Sequence, residues 1–172
     1  MKSGQGEGEA MFRSVSEDEM KRRKAILIKN VEDGFREYSS VILKGDQNSM
    51  QSFLEKCLRE NKKEAFADFY YPVLSPEHKE AFLTGLDEDG RKILSEFESR
   101  NGQVFYPLME ENLSFLAEIT ARNWLFSSFF FIRHPAVVWG NYNLEYPLFC
   151  RDTVTLDFYK KIALECGLEL LV

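Results

Sequence analysis

The sequence predicts a mainly α fold: a compact, single-domain, multi-helix body with a small β element in its C-terminal third. Three observations predict it. Apolar residues recur at spacings of three, four and seven along much of the chain. Helix-opening residues stand before several of these stripes, at Ser16, Ser75-Pro76 and Thr153. The 172-residue length fits one domain with a core large enough to need no staples.

Residues 1–14 are expected to form a mobile N-terminal tail, and residues 15–172 a single helical domain. Ser16 followed by Glu17-Asp18-Glu19 predicts a helix start, with carboxylates at the positive end of the dipole. The stripe Met20, Leu27, Ile28, Val31, Phe35, Tyr38 and Ile42 extends that helix over 17–43, with Gly34 as a bend and Gly45 as its end. Within it, Glu17–Lys21, Asp18–Arg22 and Glu19–Arg23 are i,i+4 pairs in the favourable order, contributing about 0.3 kcal/mol each. Lys21-Arg22-Arg23-Lys24 therefore reads as a solvated helix start and not as a polyanion patch.

Asn48 or Ser49 opens the next helix, striped by Met50, Phe53, Leu54, Cys57 and Leu58. Helical spacing resumes at Ala65, Phe66, Phe69 and Tyr70, and Pro72 ends it. Ser75-Pro76 starts a short helix with Phe82, Leu83 and Leu86 inward. Asp87 or Asp89 starts another, with Ile93, Leu94 and Phe97 inward and Asn101-Gly102 as the stop. Asp87-Glu88-Asp89-Gly90 has calcium-loop residue types but lacks the closing Glu, so it is read as a cap. A helix from Leu108 runs to about Phe126, or on to Ile132 before Arg133-His134-Pro135. Residues 136–140 and 144–149 read as extended, 141–143 as a turn, 154–166 as a helix and 168–172 as a closing strand.

Three hexads share a Tyr-Pro centre, at Tyr71-Pro72, Tyr106-Pro107 and Tyr146-Pro147. The prolines are near the period of two-helix repeats. The flanking segments do not match, so the hexads read as punctuation at element boundaries.

Composition limits function. The net charge of −6 argues against sequence-independent nucleic-acid binding. No apolar run reaches the roughly 18 residues of a membrane span. Cys57, Cys150 and Cys166 show no metal-like spacing, and together with the lack of a secretory signal they suggest a reducing, cytoplasmic compartment. His78 and His134 have no second ligand at helix or hairpin spacing, so neither a metal nor a cofactor is expected.

The densest feature is Trp124–Phe149, which holds nine of the 24 aromatic residues with only Arg133 and Glu145 charged. It is either core or the wall of a site. The candidate ligand- or partner-binding residues are its polar minority and their aromatic neighbours: Arg133, His134, Trp139, Asn141, Tyr142, Asn143, Glu145 and Tyr146. On a pocket reading, His134 or Glu145 is the acid or base, Arg133 or Arg151 an anion clamp, and the asparagines are donors. The bland reading makes His134 a helix-end residue, the asparagines turn formers and Cys150 an inert core residue. Arg122 shares a helix face with Glu118, so the two read as an exposed pair, whereas a buried Arg122 would require a partner.

Three functions are compatible with these residues. The favoured one is a non-catalytic, partner-binding protein, regulatory or inhibitor-like, with a protein partner of basic character and no nucleic acid or membrane. The second is an enzyme or small-ligand binder with an aromatic-walled pocket around residues 133–152. The third is a structural protein that self-associates through its long first helix.

Overall fold

The structure, a computed structural model, describes residues 9–171. It is a mixed α/β fold, which corrects the mainly α expectation. Its centre is a seven-stranded antiparallel sheet ordered β5-β3-β6-β7-β8-β2-β9. The strands are β2 (Ser39–Lys44), β3 (Ala65–Asp68), β5 (Phe105–Pro107), β6 (Phe129–Phe131), β7 (Ala136–Val138), β8 (Glu145–Cys150) and β9 (Glu169–Leu171). Both edges are three-residue strands, which limits the unpaired backbone they present. A separate two-stranded parallel pair joins β1 (Phe12–Arg13) to β4 (Phe97–Glu98).

The helices are α1 (Glu17–Arg22), α2 (Val31–Glu37), α3 (Gln47–Glu60), α4 (Pro76–Gly85), α5 (Glu88–Ser95), α6 (Glu110–Ala121) and α7 (Thr153–Glu165). Side-chain caps explain where most of them begin. Ser16, Asp46, Ser75, Asp87 and Asp152 each accept the N–H three residues on. Asp87 is a cap residue, its Oδ1 accepting Gly90 N–H at 2.7 Å. The cap of α3 falls on Asp46, two residues before Asn48 and three before Ser49, and that of α7 on Asp152, one before Thr153.

The expected first helix is three elements. α1 stops at Arg22 because Lys24 turns to φ 62°, and α2 and β2 follow. Val41 and Leu43 are buried on one face of β2, with alternation that the three-and-four spacing had absorbed into a helix. Gly34 does not bend a long helix. A Cβ there would lie 2.6 Å from the Phe149 ring, so its absence lets α2 sit on that ring. Ala65–Asp68, expected to be helical, and Phe129–Phe131, helical only if the helix from Leu108 ran on to Ile132, are strands because each sends alternate residues to opposite faces of the sheet.

One face carries the main core. Ala65, Ala67, Phe129, Phe131, Val138, Tyr146 and Leu148 meet the apolar sides of α3, α6 and α7. The other face carries Phe66, Phe130, Val137 and Phe149, covered by Met20 and Ala25-Ile26. α2 lies over Phe149 on this face, through Gly34 and the edge-on ring of Phe35. Within the region expected to be tail, Phe12 is fully buried and pairs with Phe97. Residues 1–8 of that expected tail lie outside the described residues.

The Tyr-Pro hexads occupy unlike elements: a 3-10 turn at Tyr71–Val73, the edge strand β5, and the inner strand β8. They are not structural repeats. Pro147 accepts Trp139 N–H at 2.8 Å but has no N–H to return, so the β7–β8 ladder ends there. Trp139 thus lies one residue beyond the end of β7.

Candidate functional site

The incompletely covered face leaves a cleft of about 630 Å³ between the sheet and the segment that runs from α1 to Lys29. Its floor follows from strand register. Asp68 pairs with Phe105 of β5, and its N–H donates to Ser128 O at 3.1 Å. Phe129 pairs with Val138, which sets Ser128 beside Trp139. Phe105, Asp68, Ser128 and Trp139 thus form one rung across four neighbouring segments of the sheet. All four line the cleft, because period-two alternation puts them on the face of Phe66 and Phe130.

The walls are aromatic. Phe105 meets Phe130 edge-on at 5.7 Å between centroids, and Trp139 packs half-buried against the same cluster. Phe126 closes the far side, held by Tyr142 at 4.6 Å. Gly140 also lines the cleft, and here the missing side chain is a steric requirement. A Cβ would lie 2.1 Å from the Ser127 carbonyl oxygen.

Asp68 is the unusual group. It is 8% exposed, and its Oδ1 accepts Ser128 N–H at 2.7 Å. No positive charge among the described residues offsets its burial, and desolvation pushes its carboxyl up to about 7. The adjacent Tyr70 hydroxyl is pushed up to about 12, by burial first and by Asp68 second. The rim carries Glu17 and Lys21, paired at 3.2 Å and both exposed, with Lys29 beside them. A carboxyl poised near neutrality in an aromatic-walled cleft is a combination typical of binding and catalytic sites.

The residues singled out from sequence are distributed over both ends of the sheet. Arg133 and His134 lie in the turn between β6 and β7, at the end opposite Trp139. Arg133 is exposed and 3.7 Å from Glu64. His134 packs against Phe158 in a tilted pair, ring centroids 4.5 Å apart. Its N–H donates to the buried Asn61 and its carbonyl accepts Tyr159 Oη–H at 2.6 Å. At the other end lie Trp139, Asn141, Tyr142, Asn143 and Glu145. Asn141 Nδ2 donates to Glu145 O at 3.4 Å, and Glu145 pairs with Lys44 at 3.2 Å. Asn143 takes φ 59° and donates its N–H to Asn123 Oδ1. Tyr146 is buried in the main core and its hydroxyl has no hydrogen-bond partner among the described residues.

Of these eight residues, Trp139 lines the cleft and Tyr142 supports its wall through Phe126. Asp68 escaped the sequence reading. The available signal was a lone carboxylate closing the apolar run Ala65-Phe66-Ala67 and followed by Phe69-Tyr70-Tyr71. Arg151 is exposed and donates to Lys24 O at 3.1 Å, away from the cleft. Burial pushes the Cys150 thiol up to about 12.

The aromatic segment is both core and site. Phe129, Phe130, Phe131, Tyr146 and Phe149 are buried, Phe126 and Trp139 are half-buried, and Trp124 and Tyr142 are exposed. Trp124 lies under the Arg122 guanidinium at 5.0 Å, while Arg122 pairs with Glu118 at 3.1 Å in the open. Among the described residues no cluster of His, Cys, Asp and Glu is arranged to hold a metal. No helix of the described residues is long and apolar enough to cross a membrane.

In comparisons with known proteins, no family model, no curated protein and no solved structure matches this chain.

Proposed function

We propose that this chain is a non-catalytic binding protein whose recognition element is the cleft built on the Phe105–Asp68–Ser128–Trp139 rung. One observation carries the reading: a buried carboxylate without a cation partner among the described residues forms the floor of an open, aromatic-walled space. Burying a charge with so little compensation costs stability, which a pure scaffold has no reason to retain. The volume lies within the range of pockets that take a small ligand or a single inserted side chain. The partner-binding role fits the acidic net charge of −6, which favours partners of basic character.

Trp139 provides the test. Trp124→Phe leaves it as the sole tryptophan, since the chain has two. Screening fragments and short peptides against this variant should yield shifts in Trp139 emission that Gly140→Val abolishes. A set of binders that leaves Trp139 emission unchanged, and whose contacts map elsewhere, would refute the cleft as the recognition element.

A second reading rests on the same carboxyl. A group titrating near 7 is matched to general acid–base work at neutral pH. Turnover of a bound compound that follows a single ionisation near pH 7 would favour an enzyme over a binding module.

A further inference from the structure

We infer that the cleft takes an organic cation, an ammonium or guanidinium group, whose N–H hydrogen-bonds the Asp68 carboxylate while its carbon stem lies against Phe105, Phe130 and Trp139. This inference rests on the reading of the cleft as the recognition element, and it adds the chemistry of the occupant. The floor offers an acceptor with spare capacity. Ser128 N–H occupies one lone pair of Oδ1, and a carboxylate has about four acceptor sites. The walls are aromatic rings, and a cation over the face of such a ring is attracted by its quadrupole. The same sheet face already receives one cation from within the molecule, the Arg23 guanidinium, 5.3 Å from the Phe66 ring centroid.

The rim charges have to be weighed against this. Glu17 and Lys21 are exposed and cancel as a pair. Lys29 is exposed on the segment above, and the phenol of Tyr70 is neutral at physiological pH. Exposed charges are screened over roughly 8 Å at physiological salt. Asp68, out of water, interacts far more strongly with an entering charge. The floor therefore sets the sign of the ligand.

Binding must be coupled to proton release. The free carboxyl is mostly protonated below pH 7 and ionised above it, and only the ionised form accepts from a cation along both oxygens. Amine affinity should rise about tenfold between pH 6 and pH 8, the ratio of ionised fractions for a group titrating near 7.

The experiment uses three probes of one shape (benzylammonium, benzyl alcohol and benzoate) with Trp139 emission in the Trp124→Phe background. Benzylammonium should bind best and gain affinity with pH. Asp68→Asn should weaken it by about tenfold or more while keeping the Oδ1 acceptor for Ser128 N–H. Lys29→Ala removes a like charge from the rim and should strengthen amine binding slightly. Benzoate binding at least as tightly as benzylammonium, or losing affinity in Lys29→Ala, would overturn the inference yet leave the cleft as the recognition element. An Asp68→Asn variant that stays folded by circular dichroism and still binds benzylammonium at full strength would also overturn it. Silence of all three probes at Trp139 would count against the inference and the underlying reading together. A short peptide carrying one arginine or lysine separates the sources of the cation: tighter binding than benzylammonium assigns the site to a protein side chain, weaker binding to a free amine, and either outcome supports the shared chemistry.

Discussion

Asp68 and Ser128 exchange two hydrogen bonds of different kinds. The main-chain N–H of Asp68 donates to Ser128 O at 3.1 Å, and Ser128 N–H answers not to a carbonyl but to Asp68 Oδ1 at 2.7 Å. A side chain thereby stands in for backbone at the end of the β3–β6 ladder. The bond ties Oδ1 to the neighbouring segment, and Asp68 itself lines the cleft.

The first prediction concerns stability against pH. Asp68 has a folded-state pKa near 7, above the 3.8 of an unperturbed carboxyl, so the native state holds its proton more tightly than the unfolded chain. Stability from this group is present below about pH 4 and is lost as pH rises toward and through 7. Asp68→Asn cannot ionise. Urea denaturation should show the variant about 2–4 kcal/mol more stable than wild type at pH 8, with the difference shrinking toward pH 4. A difference independent of pH would contradict the burial argument.

Gly140→Ala should destabilise the protein by about 1–3 kcal/mol in the same assay, because the added methyl meets the Ser127 carbonyl oxygen. The neighbouring Trp139 should respond with altered emission in the native state.

Asn61 ties three elements together at the opposite end of the sheet. Its Nδ2 donates to Cys57 O and to Tyr159 Oη, both at 2.9 Å, and its Oδ1 accepts His134 N–H at 2.8 Å. Asn61→Leu strands the part-buried His134 N–H and should cost about 1–3 kcal/mol. Binding at the cleft should be unaffected in the folded variant, which separates His134 from the recognition element.

Thiol titration provides a fourth check. Cys57 is fully buried and its thiol is raised well above the ordinary value, Cys150 is buried, and Cys166 is only half-buried. Ellman's reagent at pH 8 should modify Cys166 rapidly in the native protein, and all three cysteines only after denaturation.

The segments legible in the sequence are those where a local signal sufficed. Ser16, Ser75 and Asp87 open helices because a side-chain oxygen satisfies an N–H three residues away, which needs nothing distant. The stripe of α3 and the extended readings of 136–140 and 144–149 are likewise matched by α3, β7 and β8. The Arg122–Glu118 pair is a neighbour relation within one turn.

Tertiary structure decided the rest. Apolar residues at 27, 28, 31, 35, 38 and 42 fit a helix, but the pairing of β2 with both β8 and β9 drew 39–44 into the sheet. Ala65–Asp68 and Phe129–Phe131 are short runs buried on both faces. In such runs helix and strand leave the same apolar record, and the partner strands arbitrate. The site lay beyond any local pattern for the same reason. Asp68, Phe105 and Trp139 are dozens of residues apart in sequence, and inter-strand hydrogen bonds that no single segment encodes place them on one rung.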